Sequence, residues 1–180
     1  MPVYVAMLRG INVSGHKIIK MEALRAMFET MGLGAARTYI QSGNVLFEAS
    51  KNAGPTLAPN ISEKIRAQFG FDVSVQVRSA AELAEVCKKN PLLDEPAVDA
   101  ARLYVTFLPA PAPAKAAERL QPLAAKADRF AVCGREIFLF CPGGYGGTKF
   151  SNNAIEKKLS VPATTRNWKT VGVLCEMARQ

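Results

Sequence analysis

The sequence predicts an α+β protein made of two ferredoxin-like (split β-α-β) lobes with antiparallel sheets and extra bridging helices. Over residues 1–78, apolar spacing gives the order strand, helix, strand, strand, helix, strand, which is the order of a split βαβ unit. Over residues 79–180 the same order recurs less completely, with a helix where the fourth strand is due. The chain is therefore predicted to hold an N-terminal lobe, 1–78, and a related C-terminal lobe with additional helices, 79–180.

Apolar spacing and turn residues identify each element of the first lobe. A β-branched apolar run predicts a strand over residues 3–8, and apolar side chains every three or four residues, closed by Gly32, predict a helix over 21–31. In chain order, the remaining predictions are a hairpin over 37–49 that turns at 42–44, a loop over 51–60, a helix over 61–70 and a strand over 71–79.

The second lobe is divided by the same kinds of turn residue. In chain order, the predictions are a helix over 79–90, a connector over 91–100, a strand over 101–108, an Ala/Pro linker over 109–114, a helix over 116–127, a hairpin that turns at 134–135, a glycine-rich loop over 142–149, a helix over 151–159 and a final helix over 164–180. Ser151 is predicted to cap the first of the last two helices, and Thr164 or Thr165 the second. Trp168 lies on the apolar stripe of the final helix and is predicted to anchor it in the core.

The chain carries 23 Lys and Arg against 15 Asp and Glu, a formal charge of +8. This excess favours anionic partners such as phosphorylated metabolites, an acidic protein face or nucleic acid, although a solvated basic surface has the same composition. Nucleic acid as a partner rests on charge alone, because the segment NVLFEA lacks the basic residue and paired aromatics of an RNA-recognition strand.

Four widely spaced cysteines without a C-x-x-C pair, together with a single histidine, predict free thiols and no metal site. No cofactor is predicted. The apolar run at the N-terminus is too short for a signal peptide or a membrane span, so a cytoplasmic protein with no membrane partner is expected. The oligomeric state is left open.

The loop LRGINVSGHK, residues 8–17, supplies five candidate ligand-binding residues, Arg9, Asn12, Ser14, His16 and Lys17. Its two glycines allow positive φ, so backbone N–H groups could cradle a phosphate or carboxylate that the basic side chains neutralise. The alternative is an ordinary connection in which Asn12 and Ser14 bond their own backbone. His16 is also the candidate general base, with Ser14 as the nearest hydroxyl, but no nucleophile elbow or orienting acid accompanies it.

Two segments of the second lobe add the candidates Lys149, Arg166 and Asn167. The glycine-rich loop lacks the Gly-Lys-Ser/Thr order of a nucleotide-binding loop, because Thr148 precedes Lys149, so it predicts either a looser anion site or a plain surface loop. Arg166 and Asn167 fall in the first turn of the predicted final helix, where the helix dipole disfavours a cation. Pairing of Arg166 with a carboxylate or with an anionic ligand would explain that placement.

Three segments, LRGINVSGHKIIKMEALR, TYIQSGNVLF and ATTRNWKTV, closely resemble the signature segments of the bacterial domain-of-unknown-function family 1697. They stand in the family's order and span residues 3–173, with Ser14 where the family usually has glycine. The resemblance implies two ferredoxin-like α/β lobes and no established activity.

These observations lead to the expectation of a cytoplasmic binding module for an anionic small molecule, held where residues 9–17, residues 143–149 and Arg166 converge. A competing hypothesis is a metal-independent enzyme acting on a phosphorylated small molecule, with His16 as acid and base. A nucleic-acid-binding protein and an oligomeric scaffold are two further hypotheses.

Overall fold

A computed structural model describes all 180 residues. In chain order, its strands and α-helices are β1 (Val3–Leu8), α1 (Met21–Thr30), β2 (Gly34–Tyr39), β3 (Asn44–Glu48), α2 (Gly54–Phe69), β4 (Val75–Ser79), α3 (Ala80–Lys88), β5 (Leu103–Phe107), α4 (Ala116–Leu120), β6 (Arg129–Cys133), β7 (Glu136–Phe140), α5 (Asn152–Leu159), β8 (Thr164–Asn167) and α6 (Trp168–Met177). None of these helices combines the length and the apolar character that crossing a bilayer requires.

The chain forms two compact units. The first consists of Met1–Ala84 and Leu174–Gln180, and the second of Glu85–Val173. The chain therefore passes into the second unit within α3 and returns to the first within α6. Arg37 on β2 donates from Nη2 to the carbonyl of Met177 at 3.0 Å, which ties the end of α6 to the sheet of the first unit.

The first unit contains a four-stranded antiparallel sheet in the order β2-β3-β1-β4. Alternate side chains of β1, Tyr4, Ala6 and Leu8, share one core with the buried stripes of α1 and α2, so both helices cover the same face of the sheet. Two helices on one face of a sheet with this strand order make a split βαβ unit, which confirms the prediction for the first lobe.

The helix α2 begins at Gly54, six residues earlier than the end of the predicted 51–60 loop, so that loop prediction is wrong. Pro55 lies in the first turn, where an N–H group has no intrahelical acceptor, and Pro59 removes one backbone bond a turn later. Leu57 is buried on the same stripe as Ile61 and Ile65, and burial of that stripe offsets the lost bond.

The second unit repeats the arrangement, with the antiparallel order β6-β7-β5-β8. Leu108, Ile137 and Leu139 share its core with the buried side chains of α4 and α5. The helix predicted over 116–127 ends at Leu120, and a short 3-10 turn holding Pro122 follows it. The predicted second ferredoxin-like lobe is confirmed, and its element order is complete.

The fourth strand of this lobe is β8, which lies where the sequence predicts the start of the final helix. That part of the prediction is wrong. Thr164, Thr165 and Arg166 pair with β5, opposite Phe107, Thr106 and Val105, and the helix begins only at Trp168. The predicted threonine caps are wrong as well, because Asn167 Oδ1 accepts the N–H of Thr170 at 2.8 Å and caps α6.

The four cysteines are free, and they differ in accessibility. Cys133 is exposed on the β6–β7 hairpin, whereas Cys141 and Cys175 are buried. Burial raises the pKa of the Cys141 thiol to about 11, although a hydrogen bond with Thr148 works against this rise. Burial also raises the pKa of Cys133, with a smaller contribution from Glu136.

We expect Cys141 to be alkylated at least about 100-fold more slowly than the exposed Cys133 in the native protein. The thiolate is the reactive form, and Cys141 is both shielded and held protonated. Differential iodoacetamide labelling read by mass spectrometry measures the order of reaction. The Cys133→Ser variant should lose the fast phase alone. Equal labelling of Cys141 and Cys133 before denaturation would contradict this prediction.

Candidate functional site

Three connections of the first unit meet at one end of its sheet. They are the β1–α1 loop (residues 9–20, here the first loop), the β2–β3 turn (residues 40–43, the second loop) and the α2–β4 connection (residues 70–74). The strand register explains their proximity, since Met7 lies opposite Asn44 and Leu8 lies opposite Val75. The first and second loops together form a surface that we name the tip.

Backbone and side-chain bonds join the first loop to the α2–β4 connection. The N–H of Arg9 donates to the carbonyl oxygen of Ser74 at 2.9 Å. Lys17 is exposed, and its Nζ donates to the carbonyl oxygen of Asp72 at 2.6 Å. One of the predicted ligand-binding cations therefore also has a structural contact.

Asn12 holds the two loops of the tip together. Its Nδ2 donates to the carbonyl oxygens of Ile19 and Gln41, both at 2.9 Å, and its Oδ1 accepts the N–H of Ile19 at 2.8 Å. Asn12 has a positive φ of 55°, a conformation that asparagine tolerates better than most residues. The side-chain amide is thus engaged within the chain, and it fixes the path of the first loop.

The first loop has an unusual backbone. Residues with positive φ within it are Gly10, Asn12, Ser14, Gly15 and Lys17. Ser14 and Gly15, with φ of 50° and 76°, form the centre of a turn. The N–H of His16 closes this turn by donating to the carbonyl oxygen of Val13 at 2.9 Å. Two central residues with positive φ and a closing bond of this kind are the pattern of a type I′ turn. Both central residues are exposed, and their own N–H groups donate to no acceptor in the chain.

The ionisable groups of the tip are all basic. Arg9 is half-buried, and His16, Lys17 and Lys20 are exposed. No Asp or Glu occurs in either loop. The carboxylate of Asp72, on the α2–β4 connection, lies 3.6 Å from Nε of Arg66, and both of these side chains are exposed. The tip therefore presents exposed N–H groups and cations, the two features that attract an anion.

In the second unit, the predicted cation Arg166 lies beside the glycine-rich loop. Its side chain is 8% exposed, and its Nη1 donates to Thr164 Oγ1 at 3.3 Å and to the carbonyl oxygen of Thr165 at 3.0 Å. Burial lowers the pKa of the guanidinium to about 10, an effect that neighbouring Tyr145 partly offsets. Tyr145 belongs to residues 142–149, so the fold brings this loop to the arginine.

The remaining candidates of the second unit have different environments. Lys149 is exposed, and Asn167 is the cap of α6. The loop that precedes Lys149 is fixed internally, because Thr148 Oγ1 donates to Asp128 Oδ2 at 3.1 Å and the Tyr145 N–H donates to the hydroxyl of Tyr104 at 3.2 Å. The dipole argument for Arg166 no longer applies, because this residue lies in a strand.

A second buried arginine, Arg78 on β4, was not predicted as a functional residue. It is 1% exposed and lies opposite Val5, just as Arg166 lies opposite Val105, so the two lobes place an arginine at equivalent positions of their fourth strands. Its Nη1 donates to the carbonyl oxygen of Val77 at 3.0 Å. The repeated element order is the sequence signal that could have paired the two arginines.

The eight candidate residues are divided between the units, five on the first loop and three in the second unit. That the two groups serve one ligand stays a prediction. Sequence reasoning missed the contributions of the second loop, in particular Ile40 and Gln41, because the turn was predicted at 42–44, whereas it covers residues 40–43. No three His, Cys, Asp or Glu side chains come together as a set of metal ligands.

Comparisons with known proteins agree with the fold. The family described as "Protein of unknown function (DUF1697)" matches residues 1–138. Among solved structures, a conserved bacterial protein from Streptococcus pneumoniae is similar at 23% sequence identity, with a TM-score of 0.73 and 98% of each chain covered. None of the curated proteins matches the chain.

Proposed function

We propose that this chain, which belongs to the DUF1697 family of unknown function, is a cytoplasmic binding module for a phosphate- or carboxylate-bearing ligand. The observation that carries the proposal is the tip: a fixed, exposed loop with two unengaged N–H groups, flanking cations and no carboxylate. Such a loop binds an anion with little ordering cost, because Asn12 already holds it in one conformation. The four free thiols support the cytoplasmic setting.

Within this proposal, Ser14 and its neighbour Gly15 donate their N–H groups to the ligand, and His16 and Lys17 neutralise its charge. Asn12 acts on the shape of the loop through its side-chain amide, and Arg9 is joined to the α2–β4 connection through its backbone N–H. In the second unit, Lys149 is the accessible candidate contact, whereas Arg166 and Asn167 orient the segments around the glycine-rich loop. Binding is favoured over acid–base catalysis because His16 is exposed at the end of the turn that holds Ser14 and Gly15, whereas a catalytic acid or base is expected inside a cleft.

A nuclear magnetic resonance titration with inorganic pyrophosphate tests the proposal. We expect the largest amide shifts at Ser14, Gly15 and His16, with a separate set near Lys149 if the second unit also contributes. The Lys17→Gln/Lys20→Gln double variant should weaken binding about tenfold, because charge-assisted contacts are lost.

The matched control is the Lys51→Gln/Lys64→Gln double variant, which removes the same charge from the first unit outside the tip. It should leave the affinity nearly unchanged. Equal weakening in both double variants would indicate diffuse attraction to a basic protein, and an absence of amide shifts in the first loop would reject the tip as an anion site.

A further inference from the structure

The residue Ile40, in the second loop, combines two unfavourable features. Its φ is 51°, in the left-handed region that β-branched residues rarely adopt, and its side chain is 50% exposed. Glycine or asparagine would form the same turn with less strain and without an apolar side chain in water. Neither feature helps the turn itself, and strained residues of this kind concentrate at functional sites.

Ile40 is one of three exposed branched residues on the tip. Val13 is 56% exposed and Ile18 is 58% exposed, both on the first loop. The Asn12 amide holds the backbone segments that carry these three residues next to one another. Its Nδ2 lies 2.9 Å from the carbonyl oxygens of Ile19 and Gln41, the residues that follow Ile18 and Ile40, and Val13 follows Asn12 itself. Of the five large apolar side chains that the chain exposes, three therefore belong to residues next in sequence to Asn12 or to its hydrogen-bond partners.

The surroundings of these three side chains define the kind of partner. Exposed His16, Lys17 and Lys20 flank them, and no carboxylate occurs in either loop. An apolar centre with a charged rim is the composition of a protein interface. A second copy of the chain would place cations against cations in a symmetric contact, so the rim favours a partner with the opposite charge.

Nucleic acids and bilayers fit this surface less well. The tip contains no Trp, Tyr or Phe, so the imidazole of His16 is its one ring on which a nucleobase could stack, and it has no aromatic anchor for a bilayer interface. Branched aliphatic side chains have few rotamers to lose, which suits close packing against a protein segment.

We propose that the tip docks an acidic protein segment, in which aliphatic or aromatic side chains pack on Val13, Ile18 and Ile40 while Asp and Glu side chains meet the surrounding cations. This inference rests on the proposed function, since the partner's carboxylates are the anions that the tip recognises. It adds the apolar contact, which determines the partner's sequence.

Selection of random peptides displayed on phage against the full chain tests the proposal. We expect enrichment of peptides in which Asp or Glu flanks aliphatic or aromatic residues. A synthesised peptide from this pool should bind the Ile40→Asn variant about tenfold more weakly than the wild type. It should bind the Leu93→Ser variant normally, because Leu93 is an exposed apolar residue (43%) of the second unit.

Thermal unfolding shows whether Ile40 has only a structural role. Relief of the left-handed strain should raise the Tm of Ile40→Asn by about 2 °C while peptide binding falls. A lower Tm, or unchanged peptide affinity, would overturn the docking proposal. The same variant should bind pyrophosphate normally, so loss of peptide binding is distinguishable from failure of the anion site.

Three further outcomes would reject the acidic segment as the partner. The first is a peptide pool without acidic enrichment, and another is a selection that yields no peptide sensitive to Ile40→Asn. The third is cosedimentation with phosphatidylcholine/phosphatidylserine vesicles that Ile40→Asn abolishes, which would assign the same side chains to a bilayer surface.

Discussion

The Gly43→Ala variant is expected to lose about 3 kcal/mol of unfolding free energy, the largest effect of any single methyl group added at the tip. Gly43 has a φ of +84°, and a Cβ built on it would lie 2.8 Å from Cδ1 of Ile11 and 2.8 Å from Cβ of Leu8. The Leu8 atom is fixed by its strand and cannot swing aside as a side-chain end does. Backbone strain and overpacking therefore add to one another at this position.

Urea unfolding with linear extrapolation measures this loss, and Gly15→Ala is the matched control. Gly15 has a similar φ of +76°, but no atom lies within 4 Å of a Cβ built on it. Its replacement should cost only the left-handed strain, about 1 kcal/mol. Equal losses in the two variants would show that the close approach of Ile11 and Leu8 to Gly43 contributes nothing.

Most of the fold could be predicted because its elements carry their own periodicity. The alternation around β4 and the three-to-four spacing in α1 are examples, and together with the apolar run of β1, the hairpin and the second helix they predicted the split βαβ order of the first lobe. The strand β8 could not be predicted in this way. Its four residues are too short to show alternation, and a strongly apolar helix follows at once. Pairing with β5, about 60 residues earlier in the chain, decides its conformation.

The prediction of a loop over 51–60 failed for a related reason. Two prolines and a glycine are local signals for a turn, and they outweighed Leu57. In the folded chain, Leu57 is buried on the face of α2 that packs against the sheet, and this tertiary contact overrides the local preference. The local sequence alone does not show whether the turn preference of the prolines and glycine or the burial of Leu57 is the stronger effect.

The site was predicted only as a segment. The glycines and basic residues of the first loop identified the segment, but the role of each side chain depends on contacts from elsewhere in the chain. Asn12 bonds to Gln41 and Lys17 bonds to Asp72, partners 29 and 55 residues away. The strained φ of Ile40 has no sequence signal at all, because isoleucine gives no indication of a left-handed conformation.

The Asn12→Ala variant is expected to lose about 3 kcal/mol of unfolding free energy. It removes three side-chain hydrogen bonds and leaves the carbonyl oxygens of Ile19 and Gln41 without this donor. It also places alanine at positive φ. Asn12→Gly removes the same bonds but tolerates the backbone conformation, so it should lose about 2 kcal/mol. Urea unfolding of both variants separates the two contributions.

Hydrogen exchange then locates the damage. Without the Asn12 amide, the two loops are no longer joined, so the backbone amides of His16 and Ile19 should exchange faster. Pyrophosphate affinity should also fall, because the loop must then be ordered on binding. The amide of Ala112, bonded to the Gly134 carbonyl oxygen at 2.8 Å in the second unit, should keep its protection apart from the change in global stability. Unchanged exchange at His16 and Ile19 would mean that the tip keeps its conformation without Asn12. Its preorganisation would then have to come from Gly43 and the buried Ile11 beside it.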